Sequence, residues 1–209
     1  YTDESTGVAD MIIDPSNPDK LLVAMWSHRR QPWFFTSGGE GSALHITHDG
    51  GSSWKKLTDE EGLPGGELGR IGLAVSAANP DVIYALVESS STGLYHSLDG
   101  GVSWSLIQGD NIGNRPFYYA DIYADPSDER RLFNLYSMVD LSEDGGRTFR
   151  TILPYSGVHP DHHAFYIHPD DPNFLIDGND GGLNISRDGG QSWTFVNNLP
   201  LGQFYHIAV

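Results

Sequence analysis

Short apolar runs separated by turn-forming residues dominate the hydrophobic pattern of this 209-residue chain. They come in pairs around turns rich in Asn, Asp and Pro, as with 11–13 and 21–25 or with 71–75 and 82–87. Runs of this length between turn residues are typical of β-strands. No segment keeps a helical period, so the sequence predicts an all-β protein with almost no helix.

A second turn pattern, Asp-Gly-Gly, occurs four times. Its aspartates are spaced by 50, 45 and 44 residues, and an aromatic residue follows each of them: Asp49, Asp99, Asp144 and Asp188, with Trp54, Trp104, Phe149 and Trp193. Asp-Gly between apolar runs is a strong hairpin signal. Each repeat therefore contains four strands joined by a first turn, a loop and an Asp-Gly-Gly turn.

Four strands in a period of roughly 40–50 residues predict the blades of a β-propeller. We expect blades at 1–57, 58–107, 108–152 and 153–198, and the first strand of a fifth, at 204–209, within 199–209. The predicted strands are 8–14, 20–26, 43–48 and 53–57, then 70–76, 81–87, 93–98 and 103–107, then 119–125, 131–137, 138–142 and 148–152, then 163–168, 174–178, 182–187 and 192–196. Four blades with an orphan strand leave open edges, so we expect a segment of a longer, roughly seven-bladed propeller.

The repeated Ser/Thr-x-Asp-x-Gly-x-Ser/Thr-Trp motif resembles the Asp box, or bacterial neuraminidase repeat. Such blades occur in sialidases, two-propeller xyloglucanases, sortilin-type receptors and photosystem II assembly factors. The stretches 25–33, 113–121 and 156–164 resemble large secreted bacterial proteins labelled glycosyl hydrolase with such repeats. The resemblance implies a propeller and a secreted, periplasmic or cell-surface location, and it raises a glycoside hydrolase as an alternative function.

We expect the four Asp-box aspartates to be structural rather than catalytic. Each carboxylate should accept hydrogen bonds from its own turn, while the glycines adopt positive φ. The aromatic residue of each motif should pack between blades. Calcium bound at one of these turns is the alternative.

The composition of the chain restricts the classes of ligand and chemistry to be considered. The formal net charge is −16, from 12 basic and 28 acidic side chains, which argues against nucleic acid and favours cations and cationic or neutral ligands. The chain has no cysteine, which excludes disulfides and thiolate chemistry. No apolar run reaches the roughly 18 residues of a membrane span. Residues 1–10 have neither the basic n-region nor the apolar h-region of a signal peptide, so we expect that any signal peptide has been removed or was never in this segment.

The expected topology puts the Asp-box turns at one end of the blades and the less regular loops at the other. The loop 27–42 and the connections into blades two and three supply the ligand-binding candidates: His28, Arg29, Arg30, Trp33, Arg70, Arg115, Tyr118 and Tyr119. The aromatic residues could stack on a sugar or peptide ring, or they could form a small core that pins a long loop. Arginines from three blades are also similar to the carboxylate clamp of sialidases.

Blade four contains the densest group of titratable residues. The metal candidates are His159, Asp161, His162, His163, Asp177 and Asp180, which would suit calcium, zinc or manganese. Acid–base chemistry and a His–Asp hydrogen-bond network are the alternatives. The carboxylates that could serve a hydrolase are Asp121, Asp161, Asp177 and Asp180.

We therefore expect a propeller segment that binds a glycan, a peptide or a protein partner at its loop face. A polysaccharide-degrading glycoside hydrolase is the second hypothesis, and a structural or assembly scaffold is the third. The sequence leaves open whether the protein is an enzyme at all.

Overall fold

The computed structural model describes residues 3–109, 112, 117–118 and 121–198, and it contains seventeen strands and one 3₁₀ turn. The strands form four antiparallel sheets that follow one another along the chain. This architecture confirms the all-β prediction of four-stranded propeller blades. The predicted strand at 204–209 lies outside the described residues. No described helix is long and apolar enough to cross a membrane.

Each sheet consists of consecutive strands. The first contains β1 (Thr6–Asp14), β2 (Asn17–Gln31), β3 (Phe34–Ser37), β4 (Ala43–Thr47) and β5 (Lys55–Leu57), and the 3₁₀ turn Asp59–Glu61 follows it. The second contains β6 (Ile71–Ser76), β7 (Asn79–Val87), β8 (Gly93–Ser97) and β9 (Ser105–Gln108). The third contains β10 (Asp121–Asp125), β11 (Asp128–Leu135), β12 (Val139–Ser142) and β13 (Arg150–Leu153). The fourth contains β14 (His162–His168), β15 (Asp171–Asn179), β16 (Gly182–Ser186) and β17 (Thr194–Phe195).

The aspartate turns (47–54, 97–104, 142–149 and 186–193) share one hydrogen-bond pattern. In the first, Asp49 Oδ1 accepts from Thr47 Oγ1 at 2.7 Å and from the Ser53 backbone at 2.8 Å, and Oδ2 accepts from Ser53 Oγ at 2.6 Å. Gly50 and Gly51 adopt φ of 66° and 90°. Because the Ser53 N–H serves the turn, β5 begins at Lys55 and not at the predicted residue 53.

The same turns fix the two ends of each sheet. The first glycine of every aspartate turn donates to a carbonyl at the start of its sheet's second strand: Gly50 to Asp19, Gly100 to Asp81, Gly145 to Arg130 and Gly189 to Asn173, at 2.8–3.0 Å. The aspartate turns therefore lie beside the first hairpin turns. The remaining connections lie at the opposite end, called here the loop face.

The core lies between successive sheets. Leu22, Ala24 and Leu44 of the first sheet pack against Ala85 and Tyr95 of the second, and the two other inter-sheet contacts are built alike. We call the side that meets the next sheet the forward face and the side that meets the preceding sheet the backward face.

One expectation needs correction. Residues 28–37, predicted as part of a loop, form a hairpin in which β2 extends to Gln31 and pairs with β3. Among the aromatic residues of the aspartate turns, Trp104 is 5% exposed and packs between the first two sheets, whereas Trp54 is 44% exposed. Trp54 lies on the backward face of the first sheet, which has no described sheet against it.

Candidate ligand-binding face

A cleft of about 290 Å³ opens where the first strands of the first three sheets approach one another. Its walls include Asp10 of β1, Leu73 of β6, and Asp121 and Tyr123 of β10. The Asp10 carboxylate accepts the Leu73 backbone N–H at 2.8 Å, so this aspartate joins two neighbouring sheets. The side chains at the mouth of the cleft determine what it can bind.

Arg70 organises the mouth of the cleft. Its guanidinium donates to the Tyr118 carbonyl at 2.8 Å and to Asp121 Oδ1 at 3.0 Å. The same group lies 6.0 Å from the ring centroid of Trp26, within cation–π range. Arg70 therefore connects the first, second and third sheets, and its charge is already paired with a carboxylate.

A hydrogen-bond chain holds Arg70 and Trp26 in place. Trp26 Nε1 donates to Ser37 Oγ at 2.9 Å, and Ser37 Oγ donates to Glu88 Oε2 at 2.6 Å. The Arg70 backbone N–H donates to the same Glu88 oxygen at 2.7 Å. A Cβ at residue 69 would overlap the Glu88 carboxylate, so this approach requires Gly69.

Glu88, Ser37 and Trp26 were missed by the sequence reasoning. Glu88 is a single acid just after β7, and nothing in its neighbourhood distinguishes it from a solvated loop residue. The close pair Gly69-Arg70 at the start of β6 was the one available signal, because a glycine beside a strand often marks a close backbone approach.

Five rings form a continuous row from the cleft along the hairpin. The centroid distances are 4.3 Å for Trp26–His28, 5.2 Å for His28–Phe35, 4.9 Å for Phe35–Phe117 and 4.8 Å for Phe117–Tyr118. The ring planes are inclined to each other by 46–67°. Phe35 and Tyr118 remain 39% and 37% exposed. This aromatic row is both a small core under the hairpin and an accessible apolar surface.

The hairpin register separates the two adjacent arginines. Arg30 pairs with Phe35, and its guanidinium lies 6.0 Å from the Tyr118 ring centroid, on the side of the aromatic row. Arg29 pairs with Thr36 and lines a separate cleft of about 300 Å³ on the other side. Trp33, at the hairpin tip, is 79% exposed and belongs to no ring contact among the described residues.

The three-arginine arrangement suggested by the sequence is not assembled among the described residues. Arg29 faces away from the cleft, and Arg70 is bound to Asp121. Arg115 and Tyr119 lie outside the described residues. Arg30 is therefore the described arginine that accompanies the aromatic row without a carboxylate partner among the described residues.

Asp121 is the catalytic candidate that lines the cleft. Burial raises the pKa of its carboxyl above the usual value; the Arg70 charge lowers the pKa, and the nearby Asp10 raises it further. A raised carboxyl pKa is compatible with proton transfer. The ion pair with Arg70, however, gives Asp121 a structural partner in the resting molecule.

The residues of blade four do not converge on one centre. His162 and Asp177 are buried, with Nδ1 2.7 Å from Oδ1, and Asn179 and Asn184 donate to the second oxygen of Asp177 at 3.1 and 3.4 Å. His163 and Asp180 form a separate, half-exposed pair at 3.2 Å.

The two remaining metal candidates are also apart from these pairs. His159 contacts the Pro160 carbonyl at 2.9 Å, and Asp161 lies 3.4 Å from Ser137 Oγ. Within the described ranges there is no group of three or more His, Asp or Glu side chains placed to hold a metal ion. The contacts of blade four match the hydrogen-bond network that was the alternative to a metal centre.

Comparison with known proteins places this geometry in context. No protein-family profile matches the chain. Over 125 residues, or 59% of this chain, it is 32% identical to vacuolar protein sorting/targeting protein 10 from Aspergillus flavus, and the same figures hold for Aspergillus oryzae. The chain spans 8% of the length of these curated relatives.

Solved structures show the fold at lower sequence identity. An ancestral GH74 enzyme matches with a TM-score of 0.62 and 17% identity over 92% of this chain and 24% of its own. The GH74 xyloglucanase from Xanthomonas campestris matches at 0.51 and 16% identity, over 95% of this chain and 38% of its own. YCF48 bound to D1 peptide matches at 0.50 and 15% identity, over 90% of this chain and 82% of its own. These likenesses confirm the resemblance to propellers of the xyloglucanase and sortilin type.

Proposed function

We propose that this propeller segment binds an extended peptide segment of a protein partner at its loop face, without chemical turnover. The observation that carries the proposal is the aromatic row, which continues from the cleft onto the hairpin and keeps exposed ring surface at Phe35 and Tyr118. Aromatic surface beside a few fixed polar groups is the usual composition of a binding site.

The ring geometry favours a peptide over a glycan. The rings are tilted or edge-to-face, so they present an uneven apolar surface and not one flat platform for a pyranose. Apolar side chains of an extended peptide could fit between such rings. Arg30 would pair with an acidic side chain of the peptide, because it has no carboxylate partner among the described residues. The peptide complex of YCF48 supports this use of the fold.

The contacts of three of the four catalytic candidates argue against the hydrolase hypothesis. A glycoside hydrolase needs one carboxylic acid and one carboxylate flanking the scissile bond. Asp121 is paired with Arg70, and Asp177 is buried and holds His162. Asp180 is paired with His163 on the surface.

The extracytoplasmic location expected from the sequence remains a prediction.

A binding screen tests the proposal. A library of acidic and aromatic peptides and a panel of xyloglucan and cello-oligosaccharides would be titrated by calorimetry against the wild type. Comparison variants would be Phe35→Ala, Arg30→Gln and, as a control at the opposite end of the sheets, Leu98→Ala. We expect peptide binding that weakens about tenfold or more in Phe35→Ala and is unchanged in Leu98→Ala. Binding confined to oligosaccharides, or peptide binding insensitive to Phe35 and Arg30, would refute the proposal.

A further inference from the structure

A buried aspartate and a buried asparagine lie opposite each other in the third sheet. Asp140 of β12 is the register partner of Asn134 of β11, and the two residues are 7% and 3% exposed. Their neighbours Leu141 and Phe133 pack toward the fourth sheet. Because successive side chains of a strand point to opposite sides, Asn134 and Asp140 are directed toward the second sheet. The pair therefore lies in the contact between the second and third sheets.

The surroundings of this pair are apolar. Ile122 is the register partner of Asn134 on its other side, and it packs with Leu86 and Leu94 of the second sheet. An ionised carboxylate in such surroundings is costly unless it is paired and hydrogen-bonded. Within the described part of the chain, none of the ion pairs includes Asp140. The charge of this carboxylate is therefore not balanced by a described basic side chain.

The hydrogen bonds of the pair are also incomplete. Tyr136 Oη donates to Asp140 Oδ2 at 2.9 Å. Burial raises the pKa of Tyr136, and the bond to Asp140 raises it further, so this hydroxyl remains a neutral donor. Asp140 Oδ1 and Asn134 Oδ1 are both buried and have no hydrogen-bond partner among the described residues. Two acceptor oxygens on directly paired residues thus lack a donor.

The fourth sheet contains the same pair with its hydrogen bonds complete. Counted from the first hairpin turn and from the aspartate turn, Asp177 and Asn184 occupy the positions of Asn134 and Asp140, and they are register partners in the same way. There His162 Nδ1 lies 2.7 Å from Asp177 Oδ1, and Asn184 Nδ2 donates to Oδ2 at 3.4 Å. Protein groups therefore serve both carboxylate oxygens in the fourth sheet, whereas in the third sheet one oxygen has no described protein partner.

We propose that Asn134 Oδ1 and Asp140 Oδ1 are two ligands of one small monovalent cation, such as sodium, held between the second and third sheets. Carboxylate and amide carbonyl oxygens are the ligands that hard cations prefer. One such ion satisfies both oxygens at once, and its single charge neutralises the single carboxylate. The site shares no residue with the metal candidates of blade four or with the aspartate turns.

The position of this site gives the cation a structural role at the loop face. Asn134 and Asp140 flank the turn between β11 and β12. The Tyr136 carbonyl in this turn accepts the His162 N–H at 3.0 Å, which connects the turn to the first strand of the fourth sheet. A cation bound below the turn would therefore stabilise the contact of the third sheet with both of its neighbours.

Thermal melting at constant ionic strength tests the proposal. The full chain would be melted at neutral pH in sodium, calcium or choline chloride, each at an ionic strength of about 0.1 M. We expect sodium to raise the melting temperature of the wild type by about 2 °C or more relative to choline. Asp140→Asn should abolish this difference. In choline chloride it should melt no lower than the wild type, because the amide removes a buried charge and can donate to Asn134.

Two control variants separate a specific site from a general effect of carboxylates. Asp177→Asn, at the matched pair of the fourth sheet, should melt at a lower temperature but keep the full response to sodium. Asp170→Asn removes an exposed carboxylate and should behave as the wild type does in every salt.

Several outcomes would overturn the proposal. Equal melting of the wild type in sodium and choline would assign the two oxygens to a buried water or to a protonated Asp140. A sodium response that survives in Asp140→Asn would place the ion elsewhere, and stabilisation by calcium alone would contradict a monovalent ion. If Asp140→Asn does not fold, Asn134→Asp gives a second test. Its second carboxylate should change the preference from sodium to calcium, and an unchanged preference would contradict the site.

Discussion

Replacing equivalent tryptophans with alanine measures how much one inter-sheet contact stabilises the fold. Trp54 and Trp104 follow their aspartate turns at the same position, and each indole nitrogen donates to the carbonyl of the second turn glycine, at 3.1 and 3.2 Å. The internal hydrogen bond is therefore matched. The variable that differs is exposure, 44% for Trp54 and 5% for Trp104.

The magnitude follows from that difference. A tryptophan offers up to about 250 Å² for burial, and the buried area at the two sites differs by about two-fifths of that value. At about 25 cal/mol per Å² this corresponds to about 2 kcal/mol. We expect Trp104→Ala to lower the free energy of unfolding by about 3–5 kcal/mol, and Trp54→Ala to lower it by about 2 kcal/mol less.

Urea unfolding followed by far-ultraviolet circular dichroism would measure both variants. The m-value should be unchanged if only stability changes. Equal losses in the free energy of unfolding for the two variants would refute the claim that the aromatic residue stabilises the fold through the contact between sheets and not through its own turn.

Three further predictions concern the turns and the two polar networks. Acid should destabilise the fold between about pH 4 and 2. Hydrogen bonds within the turns lower the pKa of four carboxyls in the folded protein from an ordinary value of 3.8 to about 2, those of Asp49, Asp99, Asp144 and Asp188. The stabilisation is present above the ordinary pKa and is lost as pH falls through the pKa of the folded protein, and thermal melts at stepped pH would measure that loss. Constant melting temperature across that pH range would contradict this. Asp177→Ala should cost about 3 kcal/mol or more in urea unfolding, since it leaves buried donors, including His162, without an acceptor; a loss below about 1 kcal/mol would contradict the buried network. Gly69→Ala should displace Glu88 and weaken peptide binding while the melting temperature changes little, and an unchanged affinity in calorimetry would show that Glu88 does not position Arg70.

The fold could be predicted from the sequence because its signals are local and repeated. Each aspartate turn contains its own hydrogen-bond donors and its own positive-φ glycines, so the pattern around Asp99 determines that hairpin without help from distant residues. The hairpin 28–37 was missed because its apolar residues are clustered at the tip and do not alternate. The blade boundaries given from the sequence remain predictions.

The candidate site was harder to predict because its contacts join residues far apart in the chain. Arg70 reaches Tyr118 and Asp121, about fifty residues away, and Ser37 reaches Glu88 over a similar separation. The high density of His and Asp residues in the sequence of blade four was also misleading, because it suggested a single site. His162 and His163 are adjacent, but the strand register shifts between His162 and Ala164, and the first histidine is buried whereas the second is half-exposed.

The most direct test of the central claim compares binding with turnover in two variants. Phe35→Ala removes a ring of the aromatic row, whereas Asp121→Asn removes the charge of a carboxylate that lines the cleft and keeps the shape of the side chain. For a peptide found in the binding screen, we predict that Phe35→Ala loses affinity by about tenfold or more, that Asp121→Asn retains at least part of it, and that mass spectrometry shows the bound ligand unchanged. Release of a cleaved product by the wild type, abolished in Asp121→Asn, would contradict the account and establish an enzyme.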